Sequence, residues 1–212
     1  KPLLTPRITN NLYQSLGVDK VVVIDFSPDF SKLTGEEFIA KLASLFDVRA
    51  IVVGENFRCG QHADTSAKEI RKFLHRYTQN AQVIVPHMYR LSDGTDDSST
   101  LVRATLIEGK VAEASALLGR NYSLDLAHIP SRNNEWPLKV SLGSFVQLLP
   151  PLGEYEGLLV INESSSFKVR IKIDNSFLLC TTEEPILDNK KWIPTRYDRL
   201  EFIKELSIKD VN

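Results

Sequence analysis

Residues 20–54, KVVVIDFSPDFSKLTGEEFIAKLASLFDVRAIVVG, read as a strand, a helix and a second strand. Lys20–Asp25 is a short, almost wholly apolar run ending in a carboxylate, the pattern of a central parallel strand buried on both faces. Thr34 and Glu37 have the spacing of a capping box, and Phe38, Ile39, Leu42, Leu45 and Phe46 follow at helical intervals. Arg49–Gly54 (RAIVVG) repeats the strand pattern.

The unit then recurs. Ser66 and Glu69 form a second capping box, Ile70, Phe73, Leu74 and Tyr77 fall on one helical face, and Gln82–Val85 (QVIV) is a third apolar run. Alternating strands and helices predict a parallel sheet with helices on its faces, where ligands bind beyond the carboxyl ends of the strands. The loops after Asp25, Gly54 and Val85 are therefore the expected places for chemistry. Helical character runs through Ser99–Leu118, interrupted at Gly109 and closed by Gly119 as a left-handed cap.

After that the texture changes. HIPSRNNEWP, residues 128–137, is polar and bounded by prolines, which marks a linker or irregular loop. From Val140 onward the pattern is β. Tyr155–Ile161 is a strand candidate, FKVRIKI (Phe167–Ile173) alternates apolar with cationic residues, and Asp174-Asn175 offers a tight turn into Ser176–Thr181. The expectation is an α/β, Rossmann-like domain with a parallel sheet over residues 1–125, followed by a small antiparallel β-barrel-like domain over 126–212.

Composition restricts the partners. With 26 Lys and Arg against 27 Asp and Glu in 212 residues, no general field draws the chain to nucleic acid or an anionic membrane, so any phosphate site must be local. No apolar run approaches the roughly 18 residues of a membrane span. Cys59 and Cys180 lack C-x-x-C spacing, which points to reduced thiols in a cytoplasmic protein rather than to a disulfide framework or a zinc site. No metal ligand set is expected.

Two segments carry the chemistry. Ser98-Ser99-Thr100-Leu101-Val102-Arg103 places three hydroxyls at a helix start with an arginine one turn inside. Free N–H groups, hydroxyls and a forked cation together suit phosphate oxygens, although serines before a helix also serve simply as caps. Val53-Gly54-Glu55-Asn56-Phe57-Arg58-Cys59-Gly60 follows a strand, and its two glycines allow close approach of backbone to a ligand.

These segments resemble the bacterial FAD synthetase family. SSTLVRATLIEGKVAEASALLGRNY is similar to its S-S-T-x-x-R segment and L-L-G-R-x-Y ending, and VVGENFRCG to its V-G-x-[DN]-F-x-F-G element. GVDKVVVIDFSPDFSKLTGEEF resembles its G-V-D…D-F…L-T-x-E-x-F stretch, so the likeness runs from Leu3 to Tyr122. The resemblance implies a nucleotidyltransferase that makes FAD from FMN and ATP with Mg²⁺. Ser98, Ser99 and Thr100 would then face the ATP phosphates, with Arg103 stabilising the transition state. Asn56 would contact nucleotide, and Asp25, Phe26, Phe57 and Cys59 would line the flavin pocket. Cys59 departs from the family pattern, which has an aromatic residue there.

The family's H-x-G-H head is not found in this sequence. None of His62, His75, His87 and His128 has another histidine two or three residues away. LLPPLGEYEG (Leu148–Gly157) and RLEFIKEL (Arg199–Leu206) resemble strands of the family's riboflavin kinase barrel. The kinase's threonine-asparagine pair is lacking, which implies a reduced barrel kept for packing. Thr181-Thr182-Glu183-Glu184 is the one conceivable substitute site. A bifunctional kinase and adenylyltransferase, and a flavin- or nucleotide-binding module without turnover, are the alternative readings.

Overall fold

The computed structural model describes residues 1–87, 98–129, 137–162, 165–182 and 197–206. In chain order its elements are α1 (Pro6–Ser15), α2 (Pro28–Ser31), α3 (Gly35–Leu45), β1 (Ala50–Val52), α4 (Ala67–Tyr77) and β2 (Gln82–Ile84). They continue with α5 (Ser99–Ile107), α6 (Val111–Leu118), β3 (Tyr122–Asp125), β4 (Leu138–Ser141) and β5 (Gly153–Asn162). The last three are β6 (Ser165–Ile173), β7 (Phe177–Thr181) and β8 (Arg199–Glu205). These elements divide between two compact units, residues 22–96 and residues 1–21 with 97–212.

In the unit 22–96, β1 and β2 pair in parallel with Ile51 opposite Val83. α3 and α4 close its core through Ile39, Ile70 and Leu74, joined by Ala81 and Val83. Both helices start at the capping boxes read from the sequence. The Glu37 N–H donates to the Thr34 hydroxyl at 3.2 Å, and the Thr34 N–H donates back to the Glu37 carboxylate at 2.8 Å. The Ser66 N–H likewise donates to the Glu69 carboxylate at 3.0 Å. The backbone bond from Thr34 holds Glu37 below the usual carboxylate range, and the Ser66 hydroxyl does the same for Glu69.

The expected first strand is not formed. Residues 18–27 carry no helix or strand, and Val22 and Val23 are 65% and 86% exposed. A buried parallel strand needs ladder partners at its edges and helices over its faces. Among the described residues, Lys20–Asp25 has no ladder partner, and the division between the two units falls inside it. An apolar run meets the compositional condition for a strand without the pairing that makes one.

The other unit is built on a curled, half-barrel antiparallel sheet of order β3-β8-β5-β6-β7-β4. Its inner face is apolar, with Leu124, Leu159, Ile171, Leu178, Leu200 and Phe202 fully buried. α5 and α6 add Val102, Leu106, Val111 and Ala114 to this core. Gly109 (φ +83°) separates the two helices, and Gly119 (φ +65°) caps α6 in the left-handed region, as the sequence pattern predicts. At Gly157 the β5–β8 register shifts, and an added Cβ would lie 2.3 Å from the Glu201 carbonyl oxygen. Only glycine fits there.

The boundary expected at 125/126 falls inside the unit that holds residues 97–212, at the end of β3, whose Tyr122 stands opposite Phe202 of β8. Residues 130–136 of the expected linker, and Glu183 and Glu184 of the conceivable substitute site, lie outside the described residues. Among the described residues, no helix is long and apolar enough to cross a membrane.

Candidate functional site

In the unit 22–96, the chain after Lys20–Asp25 turns into α2, which Ser27 starts by accepting the Phe30 N–H at 3.2 Å. Pro28 at the first helical position costs no hydrogen bond there. The turn brings Phe26 and Phe30 edge to face at 5.6 Å between ring centroids, and Phe30 meets Phe38 of α3 in the same manner at 5.9 Å. Aromatic rings prefer this arrangement because a positive ring edge meets a negative face.

A second wall comes from the segment after β1. The Cys59 N–H donates to the Thr65 carbonyl at 3.0 Å and the Thr65 N–H to the Cys59 carbonyl at 3.1 Å, pinching residues 60–64 into a loop. The Gln61 N–H donates to the Leu33 carbonyl at 2.8 Å and ties this loop to the start of α3. Gly60 (φ +81°) sits so close to Gly35 that a Cβ would approach the Gly35 nitrogen to 2.5 Å. His62 and Ala63 also hold positive φ, at 62° and 55°. Such conformations cost energy in non-glycine residues and persist only where surrounding structure fixes them.

Together these walls enclose a cleft of about 530 Å³, lined by Phe26, Phe30, Phe38 and Phe57 with Cys59 and His62. It has the size of a small-molecule site, typically about 300–1,000 Å³, and a lining suited to a flat aromatic ring. Burial, and then the nearby Asp64 charge, push the Cys59 thiol above its ordinary range. Cys59 therefore stays protonated at neutral pH and serves as soft apolar lining rather than as a nucleophile.

The structure thus brings Phe26, Phe57 and Cys59 into one cleft. It leaves Asp25 and Asn56 outside that lining, both exposed. Phe30 and Phe38 were not read as site residues. Helical periodicity assigns Phe38 to the core, and the only cue for Phe30 is its place in the aromatic-rich run FSPDF.

In the other unit, Ser98 is the N-cap of α5, its hydroxyl accepting the Leu101 N–H at 3.2 Å. Ser99 and Thr100 are exposed on the first turn. Arg103 is half-buried and donates from Nη1 to the Ser99 carbonyl at 2.9 Å, which folds its guanidinium back toward the helix start. A helix N-terminus, two exposed hydroxyl residues and the Arg103 guanidinium thus lie within about one helical turn, groups of the kind that can stabilise an oxyanion. Among the described residues, no three His, Cys, Asp or Glu side chains group as a metal cage.

Residues 1–100 match the family model described as FAD synthetase. The chain is 31% identical over 173 residues to FAD synthetase 2, chloroplastic, of Arabidopsis thaliana, a match covering 76% of this chain and 47% of that protein. It is 30% identical over 112 residues to a bifunctional riboflavin kinase/FMN adenylyltransferase of Buchnera aphidicola, covering 52% of this chain and 35% of the relative. The chain thus spans about half or less of the length of these relatives. A crystal structure of a macrolide-efflux protein from Streptococcus pneumoniae superposes with a TM-score of 0.69 at 20% identity, covering 96% of this chain and 72% of that one. That likeness is one of fold, and it agrees with a small parallel sheet joined in sequence to a half-barrel. By these matches, residues 1–100 carry sequence of the FAD synthetase family.

Proposed function

We propose that this chain supplies the flavin cleft and a phosphate-binding helix start of an FMN adenylyltransferase, which transfers AMP from ATP to FMN. An oxygen of the FMN phosphate attacks the α-phosphorus of ATP. The bond from that phosphorus to the bridging oxygen breaks, and pyrophosphate leaves with the electron pair. No protein nucleophile is needed, because catalysis here is positioning and neutralisation of charge developing on the phosphoryl oxygens. Arg103 and the exposed N–H and hydroxyl groups at the start of α5 perform that neutralisation, while Ser98 holds the turn in place. ATP enters as its Mg²⁺ complex, the ion carried by substrate phosphates in the usual way for Mg²⁺.

The observation that carries this reading is the phenylalanine-lined cleft, which gathers Phe26, Phe57 and Cys59 from two separate sequence segments. The isoalloxazine ring of FMN is flat and aromatic, and edge and face contacts with phenylalanine suit it. Both cysteines are free thiols, which fits a reducing compartment such as the cytoplasm.

The test uses the protein expressed from its complete coding sequence, incubated with ATP and Mg²⁺ and either FMN or riboflavin. FAD formed from FMN alone supports the adenylyltransferase, and flavin product from riboflavin identifies the bifunctional enzyme. Flavin bound without any FAD would leave a binding module and overturn the reading.

A further inference from the structure

The outer face of β3 and β8, turned away from the half-barrel core, forms a second cleft with α1 that adenylyl transfer does not use. Strand alternation places Tyr122, Leu124, Leu200 and Phe202 in the core, and Ser123, Asp125, Arg199 and Glu201 on this outer face. The cleft measures about 470 Å³ and is bounded by Ile8, Leu12 and Ile161 on its apolar side and by Arg120, Asn121 and Ser123 on its polar side.

Arg120 and Arg199 share this lining with Asp198 and Glu201, so the cleft is neutral as a whole, and among the described residues Arg120 is the member of the four without an ion pair. The Asp198 carboxylate accepts from Arg7 at 2.5 Å and from Arg199 at 2.9 Å. Glu201 accepts from Arg199 at 2.8 Å and from Asn121 at 3.0 Å. Both carboxylates are therefore already met. Arg120 is half-buried, and among the described residues it has no carboxylate within ion-pair distance. One of its donors, on Nη1, closes the α6 terminus by reaching the Leu118 carbonyl at 3.0 Å. A guanidinium carries five N–H donors, so the rest of the fork remains for another partner. Beside it Ser123 is only 6% exposed, and its hydroxyl makes no hydrogen bond among the described residues.

A half-buried cation without a counter-charge is costly, and the Ser123 hydroxyl, which lines the same cleft, is open to a ligand there. Burial alone lowers the pKa of Arg120, in keeping with a charge that has lost water and gained no anion. One oxyanion would answer both groups.

We infer that this cleft binds a small organic oxyanion, a phosphate or carboxylate held by the Arg120 fork and the Ser123 hydroxyl, with its apolar body against Ile8, Leu12 and Ile161. The site is independent of adenylyl transfer and would let a metabolite bind the half-barrel unit. Its chemistry is that of bidentate arginine recognition, for which lysine is a poor substitute.

The test is a two-dimensional amide NMR titration of the full chain carrying Arg103→Ala, so that anions at the start of α5 contribute little. Phenyl phosphate and succinate are titrated separately. Saturable shifts at Asn121–Ser123 and Asn11–Ser15 with phenyl phosphate identify an organic phosphate site, and the same shifts with succinate alone identify a carboxylate site. Adding Arg120→Lys should weaken binding about tenfold, the loss of one charge-assisted bond of about 1.5 kcal/mol. Ser123→Ala should weaken it severalfold and leave the Leu118 contact intact. Non-saturating shifts with both probes would overturn the inference. So would affinities unchanged in both the Arg120→Lys and the Ser123→Ala proteins.

Discussion

Arg7 holds Asp125 along one edge of its guanidinium, with Nη2 donating at 2.7 Å and Nε at 3.0 Å to the same carboxylate oxygen, while Nη1 turns to Asp198. The Asp125 side chain is 5% exposed and that of Arg7 25%. This pair fastens α1 to the end of β3, assisted by the Thr5 hydroxyl, which donates to Asp125 at 2.5 Å. Removing one partner of a buried pair strands the other charge, so Arg7→Met should lower stability by about 3 kcal/mol. Urea unfolding at neutral pH measures this.

The same pair sets a dependence on pH. Burial pushes the Asp125 carboxyl up, but hydrogen bonds from Arg7, Thr5 and the Ala127 N–H, with the Arg7 charge, outweigh it and leave the group below its ordinary value. A carboxyl lowered on folding adds stability above its unfolded pKa, near 4, and that contribution is lost as pH falls through the lower folded value. Wild-type stability should therefore drop on acidification below about pH 4. Asp125→Asn should be less stable at pH 7 and fall less steeply below that point. Denaturant midpoints between pH 7 and pH 2.5 provide the comparison.

Gly60 is the hinge of the cleft loop, left-handed and pressed against the Gly35 backbone. Gly60→Ala should cost at least about 1 kcal/mol from the backbone conformation alone and more from the clash. FMN affinity should fall with it, because Phe57, Cys59 and His62 all hang on this segment. Thermal unfolding and calorimetric FMN titration on one preparation would show whether the two losses occur together.

Ring contacts supply the predicted grip on flavin. Phe57→Ala should weaken FMN binding about tenfold, the equivalent of roughly 1.4 kcal/mol, without a matching fall in melting temperature because Phe57 is 39% exposed. Equilibrium dialysis with FMN checks it. An unchanged affinity would remove the cleft as the flavin site.

Local signals were legible and long-range pairings were not. The boxes at Thr34/Glu37 and Ser66/Glu69 are three-residue contacts written in the sequence. So is the turn at Asp174, whose carboxylate accepts the Ser176 and Phe177 N–H groups at 2.8 and 2.7 Å. By contrast, β3 is four residues long, and its partner β8 begins at Arg199. A short run such as YSLD announces no strand until that partner arrives. Lys20–Asp25 fails in the opposite sense, with the composition of a strand and no ladder. The pairing of Arg7 with Asp125 spans more than a hundred residues, and nothing at either position announces it.

Position decided the site residues in the same way. Phe57 and Cys59 lie in the loop after β1, the segment that strand-end reasoning singles out, while a flavin role for them is what the family resemblance implies. Phe30 and Phe38 join the cleft only because α2 folds back onto the start of α3. Ser98 has a visible structural duty as the cap of α5. Ser98→Ala should therefore cost about 1 kcal/mol of stability, whereas Arg103→Ala should leave unfolding nearly unchanged and act on catalysis.

The most direct measurement follows label from ATP in the protein expressed from its complete coding sequence, with FMN and Mg²⁺ present. Label placed on the α-phosphorus should appear in FAD and label on the γ-phosphorus in pyrophosphate. Arg103→Ala should slow both by about a hundredfold or more, the size of effect expected when a group stabilising phosphoryl charge is removed. Label from the α-phosphorus that never reaches a flavin, in a protein that still binds FMN, would contradict adenylyl transfer.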